Sequence, residues 1–184
     1  EKYRVILLTL RLPRTLLMAL TGAALAGSGA AYQGLFRNPL ADPYLIGAAS
    51  GAGLGAVIAL TLKWPAGSLG FMAVPLFAFL TALATVFLVY QMAKTGSAIP
   101  VTNLILAGVA VSSFATALTS FLMINASGEL RRALVWLLGG STLAGWKPLL
   151  AQLPYTLIGL GILLAMAYRL NVLQFGDEQA GQLG

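Results

Sequence analysis

Ionisable side chains are few, and their positions along the chain limit the chemistry available to it. All five acidic residues fall at the ends of apolar runs or in the polar segments between them: Glu1, Asp42, Glu129, Asp177 and Glu178. A carrier driven by protons or sodium usually places ionisable groups at mid-membrane, where they are costly and functional. None of the acids lies in the middle of an apolar run, so the pattern counts against an ion-driven carrier.

Other reactive groups are missing as well. The chain has no cysteine and no histidine, which removes disulfides, thiolate chemistry and the commonest metal ligands, so no metal site is predicted. No GxxxxGK[ST] motif and no Gly-Lys pair occurs, so a nucleotide site of the P-loop kind is excluded. If the protein moves a substrate uphill, the energy must enter through another polypeptide or another part of a longer chain.

The amino-acid composition indicates the class of protein. Of the 184 residues, 59% are hydrophobic and 9% are charged, whereas a soluble domain carries roughly 25% charged residues. The mean hydropathy is +0.88. These values indicate an integral membrane protein surrounded by lipid. The net charge of +6 does not indicate a nucleic-acid partner, because the basic residues are scattered between apolar runs.

Uncharged runs predict an all-α, polytopic bundle in a single transmembrane domain over residues 1–184. A helix needs about 20 apolar residues to cross the hydrocarbon core. Five runs meet this length, at about 15–36, 44–62, 69–92, 102–124 and 148–168. A further apolar piece, about 130–138, is too short to cross. It is predicted either as a half-helix whose ends are covered by protein or a watery cavity, or as an interfacial helix.

Small residues are dense in the first two predicted spans, at spacings of three and four. Such residues let helix backbones approach closely in lipid. They are Gly22, Ala23, Ala26, Gly27 and Ala30, followed by Gly47, Ser50, Gly51 and Gly55. A phosphate-binding interpretation of "GAASGAGLG" would need a preceding strand, so tight helix packing is the favoured interpretation.

Several ordered motifs resemble the FecCD/BtuC-type permease subunits of ABC importers for iron-siderophores, haem or cobalamin. The family pattern RxPR, GxxLxxxGxxxQ and NPLAxPxxLGxxxGA matches Arg11, Pro13, Arg14; Gly22, Leu25, Gly29, Gln33; and Asn38, Pro39, Leu40, Ala41, Pro43, Leu45, Gly47, Gly51, Ala52. "LILAGVA" (104–110), "WLLGGS" (136–141) and "GDEQAGQLG" (176–184) follow in the family's order. The resemblance covers nearly the whole chain.

The resemblance implies a type II ABC importer permease, of which this chain would be a fragment with the second to sixth of ten helices. Its implied role is a translocation path rather than an enzyme, with no cofactor of its own because ATP binds a partner subunit. Implied partners are a second permease copy (a homodimer or a paralogue), two ATPase subunits, an external binding protein and lipid. The implied location is the bacterial or archaeal cytoplasmic membrane. A secondary carrier or channel and a structural membrane subunit remain the alternatives.

The implied orientation conflicts with a simple count of positive charges. It places eight Lys and Arg residues outside, at positions 2, 4, 11, 14, 63, 131, 132 and 147, and three inside, at 37, 94 and 169. The positive-inside rule would invert the protein. We follow the family orientation, because the first helix is absent from this count and because an external basic rim would receive an acidic binding protein.

The resemblance also assigns three groups of residues, each of which has a simpler alternative. Arg11 and Arg14 would dock the binding protein, or else anchor a helix that begins near Pro13 at the interface. A cytoplasmic gate would be formed by Asn38, Pro39, Leu40, Ile99, Pro100, Val101 and Thr102, although Asn-Pro also favours turns. Coupling to the ATPase would involve Gly176, Asp177, Glu178, Ala180, Leu183 and Gly184, although acids that lead a helix are also ordinary capping chemistry.

Overall fold

A computed structural model of the chain describes residues 2–62, 72–96, 99–126, 128–139 and 145–175. Over these residues the fold is all-α, which confirms the predicted class. The α-helices are α1 (Lys2–Val5), α2 (Leu12–Phe36), α3 (Ala48–Thr61), α4 (Ala73–Ala93), α5 (Val101–Asn125), α6 (Leu130–Leu137), α7 (Trp146–Ala165) and α8 (Ala167–Leu173). A π-helical segment, Ile6–Arg11, joins α1 to α2, and a 3-10 turn, Pro43–Ile46, precedes α3.

Four stretches of helix in the described part of the chain are long and apolar enough to cross a membrane: Tyr3–Phe36, Ala73–Ala93, Val101–Asn125 and Trp146–Ala165. The predicted span 44–62 is shorter in the structure. Its helix α3 has 14 residues, or roughly 21 Å at the α-helical rise. The residues before α3 form the 3-10 turn, and Gly47 takes a left-handed φ of 82°. A fifth crossing therefore stays a prediction.

The first spanning helix begins earlier than the sequence suggested. It runs without a break from Lys2 rather than beginning near Pro13. A proline inside an α-helix normally clashes with the carbonyl four residues back. Here the preceding turn is π-helical, with the Leu12 N–H donating to the carbonyl of Leu7. The wider π turn relieves that clash, since π segments insert an extra residue into the ladder.

The described residues form two compact units. The first comes from Glu1–Pro43 and Ala144–Gly184, and in it α2 packs along α7 while the end of α2 contacts α8. Gly27 permits this approach, because an added Cβ would lie 2.7 Å from Leu160 Cδ2. Gln152 Nε2 also donates a 2.9 Å hydrogen bond to Thr21 Oγ1, which joins α7 to α2.

The second unit, Tyr44–Leu143, is built around α3, which packs against α4, α5 and α6. A Cβ at Gly51 would meet the side chain of Thr85, and one at Gly55 would meet Thr81 Oγ1 and the Phe77 carbonyl. The threonine hydroxyls are satisfied within α4, where Thr81 donates to Phe77 O at 2.7 Å and Thr85 to Thr81 O at 2.8 Å. The predicted small-residue packing is thus confirmed for α3.

The short helix α6 confirms the prediction of a helix near 130–138 and closes one side of the same unit. Its Ala133 is buried in a cluster with Val57 and Leu60 of α3. A Cβ at Gly53 would lie 2.9 Å from Leu137 Cδ2. Contacts with α3 therefore cover the Ala133 face of α6, whereas Leu130 and Leu138 at its two ends are exposed.

Candidate functional site

The helix α2 ends in a tight, hydrogen-bonded turn at the first predicted gate. Arg37 has left-handed backbone angles, φ 51° and ψ 36°. Its N–H donates to Gly34 O at 3.3 Å, and the Asn38 N–H donates to Gln33 O at 3.2 Å. This pair of bonds is a Schellman motif, which usually has glycine at the left-handed position. An arginine there costs about 1–2 kcal/mol, so the surrounding contacts must fix this turn.

Side chains supply those contacts. Gln33 Nε2 donates to Pro39 O at 2.9 Å, and the Leu40 N–H donates to Asn38 Oδ1 at 2.9 Å. The Ala41 N–H donates to Asn38 O at 3.0 Å. The turn chemistry predicted for Asn38–Pro39 is therefore confirmed. Leu40 is different, because it is 86% exposed and so is the apolar side chain that this turn presents.

A recess of about 420 Å³ lies beside this turn. Gln174, which follows α8, contributes to it by lying over Gly34, where an added Cβ would be 3.1 Å from Gln174 Nε2. The lining residues are Ala30, Gln33, Gly34, Arg37, Asn38, Pro39 and Gln174. The recess thus brings the first predicted gate turn together with the residues just before the predicted coupling segment.

The second predicted gate turn belongs to the other compact unit. Ile99 and Pro100 precede α5, and Pro100, in extended conformation, is its N-cap. Val101 and Thr102 form the first turn of α5 and are exposed. Asn103 Nδ2 donates to Thr95 Oγ1 at 3.1 Å and to Ala93 O at 3.4 Å. The start of α5 is therefore tied to the end of α4 by an amide side chain.

Arg11 and Arg14 lie near the other end of α2. Arg11 is the last residue of the π-helical segment and Arg14 is in the first turn of α2, and both are exposed. Residues three apart on a helix share a face. Within the described residues neither guanidinium makes a hydrogen bond or an ion pair. The buried Pro13 between them fixes the backbone that presents them.

The start of α7 adds to this basic helix end. A Cβ at Gly145 would lie 3.8 Å from Thr9 O, so the residue two before Lys147 lies against the π-helical segment. In the described part of this unit the one acidic residue is Asp42, which follows the opposite end of α2. We call Arg11, Arg14 and Lys147 the basic end. Its charge is uncompensated by any described acid of its own unit.

The predicted coupling residues Gly176, Asp177, Glu178, Ala180, Leu183 and Gly184 lie outside the described residues. Among the described residues there is no group of three or more acidic, histidine or cysteine side chains close enough to share a metal ion.

Gln33 and Asn103 are amide side chains that hold the predicted gate turns. Gln33 donates to the Pro39 carbonyl within its own turn, and Asn103 of α5 donates to the Ala93 carbonyl of α4 and so bonds between helices. Gln174 was missed. The signal available for Gln33 was its position, one turn before the end of a helix that is followed by Asn-Pro. The contact of Gln174 with Gly34 has no such local signal, because 140 residues of chain separate them.

Four long apolar helices in the described part of the chain are typical of a polytopic α-helical membrane protein. The chain belongs to the FecCD transport family, whose model matches residues 1–184.

The relatives support this membership along the full chain. The chain is 45% identical over 184 residues to the cobalamin import system permease protein BtuC of Halobacterium salinarum, covering 100% of this chain and 49% of the relative. It is 37% identical to the Fe(3+) dicitrate transport system permease protein FecD of Escherichia coli, covering 100% and 56%. It is 38% identical to the hemin transport system permease protein HmuU of Yersinia pestis, covering 96% and 53%. The chain spans about half the length of these curated relatives.

A solved structure has a similar fold. The chain is similar to a metal-chelate type ABC transporter in an inward-facing conformation, with a TM-score of 0.84 and 31% sequence identity. The similarity covers 100% of this chain and 57% of that one.

Proposed function

We propose that the chain is part of the membrane permease of an ATP-driven importer for an iron-siderophore, haem or cobalamin. The observation that supports this most is the match to the FecCD transport family along every residue of the chain. The absence of acids from the middle of the predicted spans agrees with it, because energy would then enter from a separate ATPase rather than from an ion gradient.

The proposed cargo class comes from the relatives. Their names specify cobalamin, Fe(3+) dicitrate and hemin, which are all metal ions already enclosed by organic ligands. A path for such a cargo needs no metal ligands of its own, and this chain has neither histidine nor cysteine. We therefore propose a chelated or organometallic cargo that passes without being coordinated by this half of the path.

The proposed assembly is a pair of permeases in the bacterial or archaeal cytoplasmic membrane, with two ATPase subunits and one external binding protein. The chain itself has no enzymatic role and binds no cofactor, since ATP binds the ATPase subunits. The basic end is the proposed landing site of the binding protein. Residues 176–184 are the proposed contact with the ATPase, and the two structured turns are the proposed cytoplasmic gate.

Reconstitution of the full-length protein tests the proposed function. The protein is placed in liposomes with its ATPase and binding protein, and uptake of radiolabelled ferric siderophore, ferric citrate, haem and cobalamin is measured. We expect uptake of at least one of these that requires both ATP and the binding protein. A catalytically inactive ATPase is the control. Uptake driven by a proton or sodium gradient without ATP would contradict the proposal and favour a secondary carrier.

The gate proposal makes a separate prediction at Leu40, the exposed apolar residue of its turn. Apolar side chains that narrow a pore exclude water and solutes. We expect Leu40→Ala to raise passive cargo efflux, without ATP, by about threefold or more. Efflux from preloaded liposomes measures this. Leu157→Ala is the matched control, because Leu157 is also exposed, at 57%, but lies within α7 and not beside a turn. Equal efflux from both variants would contradict a gating role.

A further inference from the structure

We propose that the last turn of α2 is a mechanical junction, in which Gln33 positions the first gate turn and Gly34 receives Gln174 from the segment that leads to the ATPase. The proposal rests on the proposed function, because it assigns to these residues the link between the coupling segment and the gate. Gln33, Gly34 and Gln174 would be positioning residues that do not touch the cargo.

Gln33 holds the turn at two consecutive residues. Its main-chain carbonyl accepts the Asn38 N–H at 3.2 Å, and its side-chain amide donates to the Pro39 carbonyl at 2.9 Å. Proline has no N–H, and its carbonyl is therefore the main-chain group through which Pro39 can be held. Any rotation of the last turn of α2 must consequently move Asn38 and Pro39, and with them Leu40.

Gly34 is the residue of the junction that contacts the segment leading to the ATPase. Its Cα is approached so closely by Gln174 that an added Cβ would lie 3.1 Å from Nε2 and 3.9 Å from Cγ. Two other glycines of the same helix, Gly22 and Gly29, have nothing within 4 Å of an added Cβ. The close approach therefore belongs to this end of the helix and is not a general property of its glycines.

The two contacts are adjacent in the chain, which is why they can act as a unit. Gln174 lies two residues before Gly176, where the predicted coupling segment starts, and it follows the end of α8 at Leu173. Gly34 is buried beneath the exposed side chain of Gln174. If the ATPase moves the coupling segment, Gln174 presses on or withdraws from Gly34, and the neighbouring Gln33 carries that displacement to the gate turn.

A cysteine pair tests the junction in a chain that has no cysteine of its own. In Gly34→Cys/Gln174→Cys, the sulfur at 174 takes about the place of Gln174 Cγ, 3.9 Å from the Cβ position at 34. In a disulfide each sulfur lies about 3 Å from the Cβ of the other cysteine, so a shift of about 1 Å closes the bond. The double variant also removes the side chain that a Cβ at 34 would meet. The full-length complex is oxidised in liposomes, and both cross-link yield and ATP-driven uptake are measured.

We expect a cross-link whose yield differs by about threefold or more between the nucleotide-free complex and the complex trapped with ATP, since the contact would change with the conformational state. Oxidation should reduce uptake about tenfold, and a reducing agent should restore it. Gly29→Cys/Gln174→Cys is the matched control and should not cross-link. Three outcomes would each overturn the junction. They are a high cross-link yield without loss of uptake, a cross-link yield that is the same with and without nucleotide, and no cross-link at all.

A second variant separates positioning from folding. Gln33→Met keeps the length of the side chain but cannot donate to Pro39 O, and we expect uptake per ATP hydrolysed to fall about fivefold while ATPase activity persists. A role in folding alone would lower the amount of complex and leave that ratio unchanged. If the unsubstituted complex imports no cargo, the proposed function fails. The nucleotide dependence of the cross-link then still decides the junction.

Discussion

Reversing both arginines of the basic end, in Arg11→Glu/Arg14→Glu, is expected to abolish uptake that depends on the binding protein. The two guanidiniums are exposed and have no partner among the described residues, so their charge is available to an acidic surface. Reversal turns two attractive contacts per permease into repulsive ones, and like charges set against each other cost several kcal/mol. A loss of about 3 kcal/mol would weaken the affinity for the binding protein about 100-fold.

The measurement is the stimulation of ATP hydrolysis and of uptake by titrated binding protein, normalised to the amount of permease in the membrane. Normalisation distinguishes docking from anchoring, because snorkelling arginines that merely fix helix depth would affect the amount inserted. Arg11→Lys/Arg14→Lys keeps the charge and should retain most of the stimulation. Rising salt should weaken the unsubstituted interaction by screening. Unchanged stimulation of the reversed variant at low salt would contradict docking.

Helix positions could be predicted from the sequence where the lipid hydrocarbon determines which residues a helix contains. The predicted span 102–124 is α5, Val101–Asn125, and the predicted short helix 130–138 is α6, Leu130–Leu137. Charges are costly in hydrocarbon, so the first charged residue on each side usually limits how far an apolar helix extends within the membrane. The family resemblance rests on the same segments and is confirmed along the full chain.

Local backbone departures could not be predicted from charge and hydropathy. The π-helical segment Ile6–Arg11, the 3-10 turn Pro43–Ile46 and the left-handed Gly47 all lie in or beside apolar runs, where a count of charge and hydropathy does not register them. They shift the start of the first spanning helix to Lys2 and leave α3 with 14 residues. Such features depend on how the backbone satisfies its hydrogen bonds against neighbouring elements, and hydropathy contains no information about that.

The candidate site likewise has parts that the sequence predicts and parts that it does not. Asn38–Pro39 was predictable as a turn because Asn has a side chain that bonds its own backbone two residues on. The contact of Gln174 with Gly34 joins distant parts of the chain, and a single sequence has no means of specifying which glutamine approaches which glycine. The glycines of α3 are an intermediate case: their spacing predicted close packing, but α4 as the helix that meets Gly51 and Gly55 emerged from the structure.

Gly55→Ala is expected to destabilise the protein strongly, although alanine favours helices. The added Cβ would overlap Thr81 Oγ1 and the Phe77 carbonyl oxygen, and would lie 2.7 Å from the Phe77 carbonyl carbon. These are poor groups to displace, because Phe77 O is main chain in the body of α4 and Thr81 is bonded to it at 2.7 Å. Overpacking of this kind costs about 1–3 kcal/mol, occasionally more, and Gly55→Leu should prevent correct folding.

Gly22→Ala is the matched control, since α2 offers nothing within 4 Å of a Cβ there. Without a clash, alanine gains about 0.5–1 kcal/mol over glycine in a helix, so the two identical substitutions should change stability in opposite directions. The thermal midpoint of the full-length permease in detergent measures both, and a drop of about 5 °C or more is expected for Gly55→Ala alone. Equal midpoints would mean that α3 and α4 do not approach at Gly55. Opposite shifts would show that the glycine is required by its neighbour, and not by the flexibility of its own backbone.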